Sequence, residues 1–163
     1  MATTSAGLLP YRRLPDGAFE VLLGHMGGPF WARKDAGSWT VLKGELEPGE
    51  DPHAAALREA GEELGLELPP STAPDVELGE VRQRAGKKVL AWARQWPSPG
   101  PDLTRITSNT VQIEWPPRSG RQIEIPEIDR VAWFAPDDAR RVVVGAQAAF
   151  VDRLGEVLAL SAG

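Results

Sequence analysis

Glu59, Glu62 and Glu63 crowd into one short segment, and Glu50 precedes them in the stretch GELEPGEDPHAAALREAGEELGL, Gly44 to Leu66. At about 100° per residue on a helix, the three glutamates share an arc roughly 100° wide, with Leu57, Ala60 and Leu64 on nearly the opposite side. An acidic stripe on an amphipathic helix is ordinarily a solvated face. This one departs from that pattern. Carboxylates at i,i+3 and i,i+4 repel by roughly a few tenths of a kcal/mol per pair, and Arg58 is the one basic residue in the helix available to offset them. A face that gathers hard divalent cations has this composition, because Mg²⁺ takes carboxylate oxygens and keeps several waters.

The elements that must position these residues can be read from pattern and punctuation. Apolar runs at Ala6–Arg12 and Phe19–His25 flank the turn signal PDG and predict two strands. WTVLKG, Trp39–Gly44, predicts a third. Asp51 is placed to cap the acidic helix, Pro52 to open it and Gly65 to close it. VELGEVRQRAGKKVLAWARQW predicts two further strands joined at Ala85-Gly86, and NTVQIEWPPRSGRQIEIPEIDRVAWFA two or three more around a Pro/Gly/Ser turn. PDDARRVVVG and AQAAFVDRLGEVLAL have helical spacing, the latter with Phe150, Val151, Leu154, Val157 and Leu158 on one face. Strands, helix, strands, helices is the order of an α+β fold with mixed strand directions.

The acidic stretch as a whole runs Gly44, five residues, Glu50, seven residues, then REAGEELGL. It resembles the Nudix box, GX5EX7REUXEEXGU with U a bulky aliphatic residue. All of its invariant positions match, and Ala60, smaller than the pattern prefers, is the one soft departure. The strand before the box and the strand-then-helix in EIPEIDRVAWFAPDDARRVV extend the likeness, at the level of fold, over Ala6 to Leu158. Lead-ins in the family often read W-x-x-P-K-G, and here Leu42 replaces the proline. The resemblance implies a mixed central sheet sandwiched between helices in a single domain, residues 1–163. It also implies a Mg²⁺- or Mn²⁺-dependent pyrophosphohydrolase acting on a nucleoside diphosphate linked to X, with an NTP or a dinucleoside polyphosphate as the expected substrate. Two other readings stay open: a Nudix-fold protein that binds a nucleotide without cleaving it, and a hydrolase of a non-nucleotide pyrophosphate.

Carried over position by position, the resemblance makes Glu59, Glu62 and Glu63 metal ligands, with the Gly44 carbonyl as a backbone ligand. Arg58, counted with Glu59 and Glu62 among the catalytic residues, is expected to pair with Glu50 and tie loop to helix, a structural role for Glu50. The general base is open between Glu59 and a glutamate outside the box. For the latter Glu127 comes first, also as a further metal ligand, and Glu124 next. Lys43 is placed to touch a phosphate oxygen. In GPFWARKDAGSW, Trp31, Arg33 and Lys34 are candidate substrate contacts on a Gly-rich loop, while Trp31 and Trp39 also fit the role of core or loop anchors. His25 and His53 have no metal-ligand spacing and are expected to be structural or solvent-facing.

Composition narrows the classes. With 163 residues the chain is long enough for one cored domain. A net charge of -5 and no cysteine argue against a nucleic-acid polymer as partner and exclude disulfides, thiolate metal sites and a cysteine nucleophile. No stretch approaches the ~20 apolar residues of a membrane helix, and the stretch MATTSAGLLPYRR lacks a basic n-region followed by a long apolar run. The expectation is a cytoplasmic monomer or homodimer with a small nucleotide substrate. P-loop, GxGxxG and Ser-His-Asp signatures are absent.

Overall fold

The computed structural model describes residues 3–162, with side chains to residue 160. Its strands are β1 (Thr4–Arg13), β2 (Phe19–Met26), β3 (Trp39–Thr40), β4 (Leu42–Glu45), β5 (Val76–Arg82), β6 (Lys88–Gln95), β7 (Thr110–Glu114), β8 (Gln122–Pro126) and β9 (Ile128–Phe134). The helices are α1 (Pro52–Leu64), α2 (Pro136–Val142) and α3 (Ala148–Ala162). The principal sheet runs β3-β2-β1-β6-β5, with β4 added on β1 and β9 on β2. β1 and β6 are parallel and the other pairs antiparallel, so the sheet is mixed. β7 and β8 form a separate two-stranded hairpin.

β1 is buried along most of its length, on both faces, and its alternation divides the core. Leu8, with Leu22 and Leu42, packs under α1 against Ala60 and Leu64. Leu9, with Val21 and Leu23, packs on the other side against Phe150, Val151 and Leu154 of α3. The result is the expected α/β/α sandwich.

Helix α1 begins and ends where its sequence says. The Asp51 carboxylate accepts the Ala54 amide at 3.0 Å, Pro52 occupies the first turn, and Gly65 stops the helix at φ +64° with its N–H on the Gly61 carbonyl. Three expectations are corrected. Trp39–Gly44 is two short strands broken at Val41. The helical run after Pro136 ends at Val142, and Val143 is extended. Val157 is 36% exposed, at the rim of the α3 face whose Phe150, Val151, Leu154 and Leu158 are buried.

Candidate active site

β1 and β2 pair only near their hairpin, at Tyr11–Arg13 against Phe19–Val21. Beyond that they diverge, and the segment Trp39–Glu45 enters the fork. It pairs first with β2 at Gly24 and His25, then crosses at Val41 to pair with β1 from Leu8 to Ser5. Backbone lost from one ladder is taken up by the other, which sets Lys43 and Gly44 on a rigid sheet at the mouth of the fork.

Helix α1 lies across this mouth. The Glu59 carboxylate packs against the α-carbon of Gly44, so closely that a methyl group there would collide with it. Glu59 and Glu63, one turn apart, are both buried, 8% and 3% exposed. The carboxylate side of the helix is therefore turned toward protein, and only Glu62, with 45% of its side chain exposed, faces outward.

Arg58 organises the entrance. Its Nε and Nη2 donate to the two oxygens of Glu50 at 2.7 and 2.9 Å, and Nη1 reaches Glu59 at 2.9 Å and Glu62 at 3.1 Å. The hydrogen bonds from Arg58 hold the Glu50 carboxyl below its ordinary range. Burial, reinforced by Glu62 and Glu127, pushes Glu59 up even with Arg58 beside it.

Glu127 comes from the turn between β8 and β9, and the backbone explains how it arrives. Thr107 and Asn109 donate their amides to the Leu64 and Glu62 carbonyls at the end of α1, and the Asn109 carbonyl accepts the Glu127 amide at 3.0 Å. The Glu127 carbonyl in turn accepts from Gly27. This brace brings the Glu127 carboxyl within hydrogen-bond reach of Glu63. Glu63 is driven well above the usual carboxylate range, by burial first, then by Glu127 and Glu59, with Lys43 opposing. One of its oxygens, Oε2, is buried without a hydrogen-bond partner. Two facing carboxyls, one with an oxygen that no protein donor reaches, are a pair that a shared proton or a cation would satisfy.

That donor set fits a hard divalent ion chemically. Among the described residues no three acidic or histidine side chains converge on one point, and Arg58 engages one oxygen each of Glu59 and Glu62.

The cleft beside these groups has a volume of about 740 Å³. Gly44, Glu59, Glu62, Glu63, Glu127, Lys43 and Trp31 all line it. Burial, then the neighbouring Lys87, lowers the Lys43 ammonium below its usual range, against the pull of Glu63 and Glu127. Arg33 and Glu124 are exposed and stand outside the lining, so the structure does not bring them to the cleft. In its loop, the Lys34 ammonium caps the Phe30 ring at 3.5 Å, and Phe30 meets Trp31 edge to face.

His25 is fully buried, between Asp129 and the Lys34 carbonyl at 2.9 and 2.8 Å. It anchors the Trp31 loop. His53 stacks on Trp92 and bonds Asp75 at 2.7 Å. Sequence reasoning missed Gln83, Lys87, Asn109, Val111 and Ile125 of the lining. The first two sit at the RQRAGKK turn, where the basic run was the only signal.

Residues 12–154 match the family model of the NUDIX domain. The chain belongs to the NUDIX family. Its Nudix fold is similar to a crystal structure of a C. elegans Ap4A hydrolase binary complex, at 24% identity over 95% of this chain and 98% of that one, with a TM-score of 0.64. It is also similar to the Nudix hydrolase RenU from M. smegmatis, at 24% identity over 97% and 87% of the two chains and a TM-score of 0.54. The NUDIX domain of Shewanella oneidensis NrtR, complexed with ADP ribose, shares 14% identity over 97% and 89%, with a TM-score of 0.59. These likenesses carry the fold. Membership of the Nudix family, with every invariant position of its box in place, makes the chain a pyrophosphohydrolase.

Proposed function

We propose that this Nudix domain cleaves a phosphoanhydride bond in a nucleoside diphosphate linked to X, with an NTP or a dinucleoside polyphosphate as substrate and Mg²⁺ or Mn²⁺ as cofactor. The observation that carries the reading is the buried Glu63 facing Glu127 beside Glu59, with an orphaned oxygen, on the wall of a cleft that also holds Lys43. Glu59, Glu62, Glu63, Glu127 and the Gly44 carbonyl would hold the ion. When bound, divalent ions screen the charge of two adjacent phosphates and acidify the attacking water.

The side chains do the rest. Arg58, anchored on Glu50, fixes where Glu59 and Glu62 present their oxygens. Glu59 or Glu127 takes the proton from water, both being carboxyls on the cleft wall. Lys43 donates to a phosphate oxygen, and Trp31 offers an aromatic edge to the nucleoside.

Incubation with Mg²⁺ and a panel of NTPs, diadenosine polyphosphates, ADP-ribose and sugar nucleotides, with product identification, tests the proposal. Hydrolysis in ¹⁸O-water then assigns the phosphorus attacked. Cleavage at a phosphoanhydride is the expected result; an inert panel with both Mg²⁺ and Mn²⁺ would remove the nucleotide assignment.

A further inference from the structure

The turn between β5 and β6 brings Gln83 and Lys87 to the cleft, and a chain of hydrogen bonds determines which way the Gln83 carboxamide points. At the crossover in the fork, the Val41 amide leaves the strand ladder and donates to the side chain of Gln147 at 2.9 Å. A backbone N–H can only donate, so the atom it meets is the carbonyl Oε1 of Gln147. Nε2 is then the remaining end of that amide. It donates to the Thr40 hydroxyl at 3.0 Å and to Gln83 at 2.9 Å. The Gln83 atom that receives it must be Oε1.

Both ends of Gln83 are thereby decided. Its oxygen is engaged by a residue with no solvent exposure, and its NH₂ group has no protein acceptor among the described residues. The backbone holds the position as well, because the Gln83 amide donates to the Lys87 carbonyl at 2.8 Å and the Gly86 amide to the Gln83 carbonyl at 3.1 Å. Lys87 stands against Lys43, and both line the same cleft. Gln83, Lys87 and Lys43 are three donors in one region. A phosphate chain, which at neutral pH offers only acceptors, suits them better than a nucleobase edge of mixed donors and acceptors.

We infer that Gln83 is a substrate-binding residue that donates to a phosphate oxygen, and that Gln147 is the positioning residue that keeps its NH₂ group free for the purpose. The inference rests on the hydrolase reading above and names part of its phosphate site.

Gln83→Glu keeps the shape and exchanges the donor for an acceptor. It is expected to raise KM for ATP, diadenosine tetraphosphate and ADP-ribose by about tenfold, the loss of one hydrogen bond to a charged acceptor, with kcat changing less than KM. Gln147→Met lets the Gln83 carboxamide turn over and raises KM by a smaller factor. Lys88→Ala makes the same change in net charge outside the cleft, where Lys88 faces Glu80 at 3.5 Å, and leaves KM unaltered.

A second readout does not depend on turnover. The side-chain amide resonances of Gln83, assigned by their absence in Gln83→Glu, should shift saturably as ADP is titrated into the ¹⁵N-labelled protein. A KM for Gln83→Glu equal to wild type, or amide signals unmoved when other cleft resonances have saturated, would overturn the inference. If the wild type turns over no nucleotide, the hydrolase reading falls, and the amide titration still decides whether Gln83 binds phosphate. If Gln147→Met does not fold, Gln83→Glu and the titration decide the matter.

Discussion

Glu62 and Asp75 illustrate two opposite uses of a carboxylate. The Glu62 side chain is half exposed, and its ion-pair partner among the described residues is Arg58. Its replacement by glutamine should leave metal-free stability within about 0.5 kcal/mol of wild type, as for other surface changes, and should lower turnover at saturating Mg²⁺ by about a hundredfold or more. Melting curves recorded in EDTA, alongside steady-state rates, check both halves. A large fall in metal-free melting temperature would assign Glu62 to the fold instead. Asp75 has 5% of its side chain exposed, stands outside the cleft lining, and is held by two bonds from Arg94 at 2.9 Å and by His53. Burial raises its carboxyl, but the hydrogen bonds from Arg94 and His53 outweigh burial and leave it below the ordinary value. A depressed acid contributes stability that is present above its unfolded pKa and lost as pH falls through the folded one. Asp75→Asn is therefore expected to cost about 1–2 kcal/mol at pH 7, allowing for screening by solvent, with the gap from wild type closing as pH drops below about 4. Urea denaturation at pH 7 and pH 3 measures that convergence.

Among the elements, α1 was the most legible. Its cap, its proline, its closing glycine and its acidic stripe are local signals, and each lies where the sequence puts it. Gly65 illustrates why: φ is +64° and an added methyl group would run into the Thr107 carbonyl. Gly65→Ala should accordingly destabilise the protein by about 2 kcal/mol or more, beyond the left-handed backbone cost alone, measured as a shift in the denaturation midpoint. The fork was not legible. Trp39–Gly44 reads as one strand because its pattern is continuous, and the break at Val41 exists only because β1 and β2 part company there. Burial of Glu59 and Glu63 was hidden for a similar reason. Spacing puts them on one face, but what covers that face is Gly44 from one strand and Glu127 from a turn more than sixty residues away, arriving through the Asn109 brace. Glu127 was a reading from resemblance; Gln83 and Lys87 carried no signal beyond a basic turn.

For the whole molecule, the sandwich and the Nudix family were visible from strand order and the box, and residues 12–154 carry the match. No helix among the described residues is long and apolar enough to cross a membrane. Repulsion among Glu59, Glu63 and Glu127 should make the apo protein less stable than it could be. Mg²⁺ or Mn²⁺ at a hundredfold excess over Kd is expected to raise stability by about 2.7 kcal/mol, read as an increase in melting temperature with metal concentration. A flat titration would argue against a preformed metal site.

The fork in the sheet has one more outcome, for evolution within this architecture. Lys43 and Gly44 belong to the same hydrogen-bonded fabric as the deepest strand, so moving them means tearing a ladder rather than swinging a lid. The β7–β8 arm is a separate hairpin, the Trp31 segment is a loop, and the Gln83–Lys87 corner is the turn joining β5 and β6. On the proposed function, mutation in those turns and loops would retune what the enzyme accepts while the edge that carries Lys43 and Gly44 stays fixed.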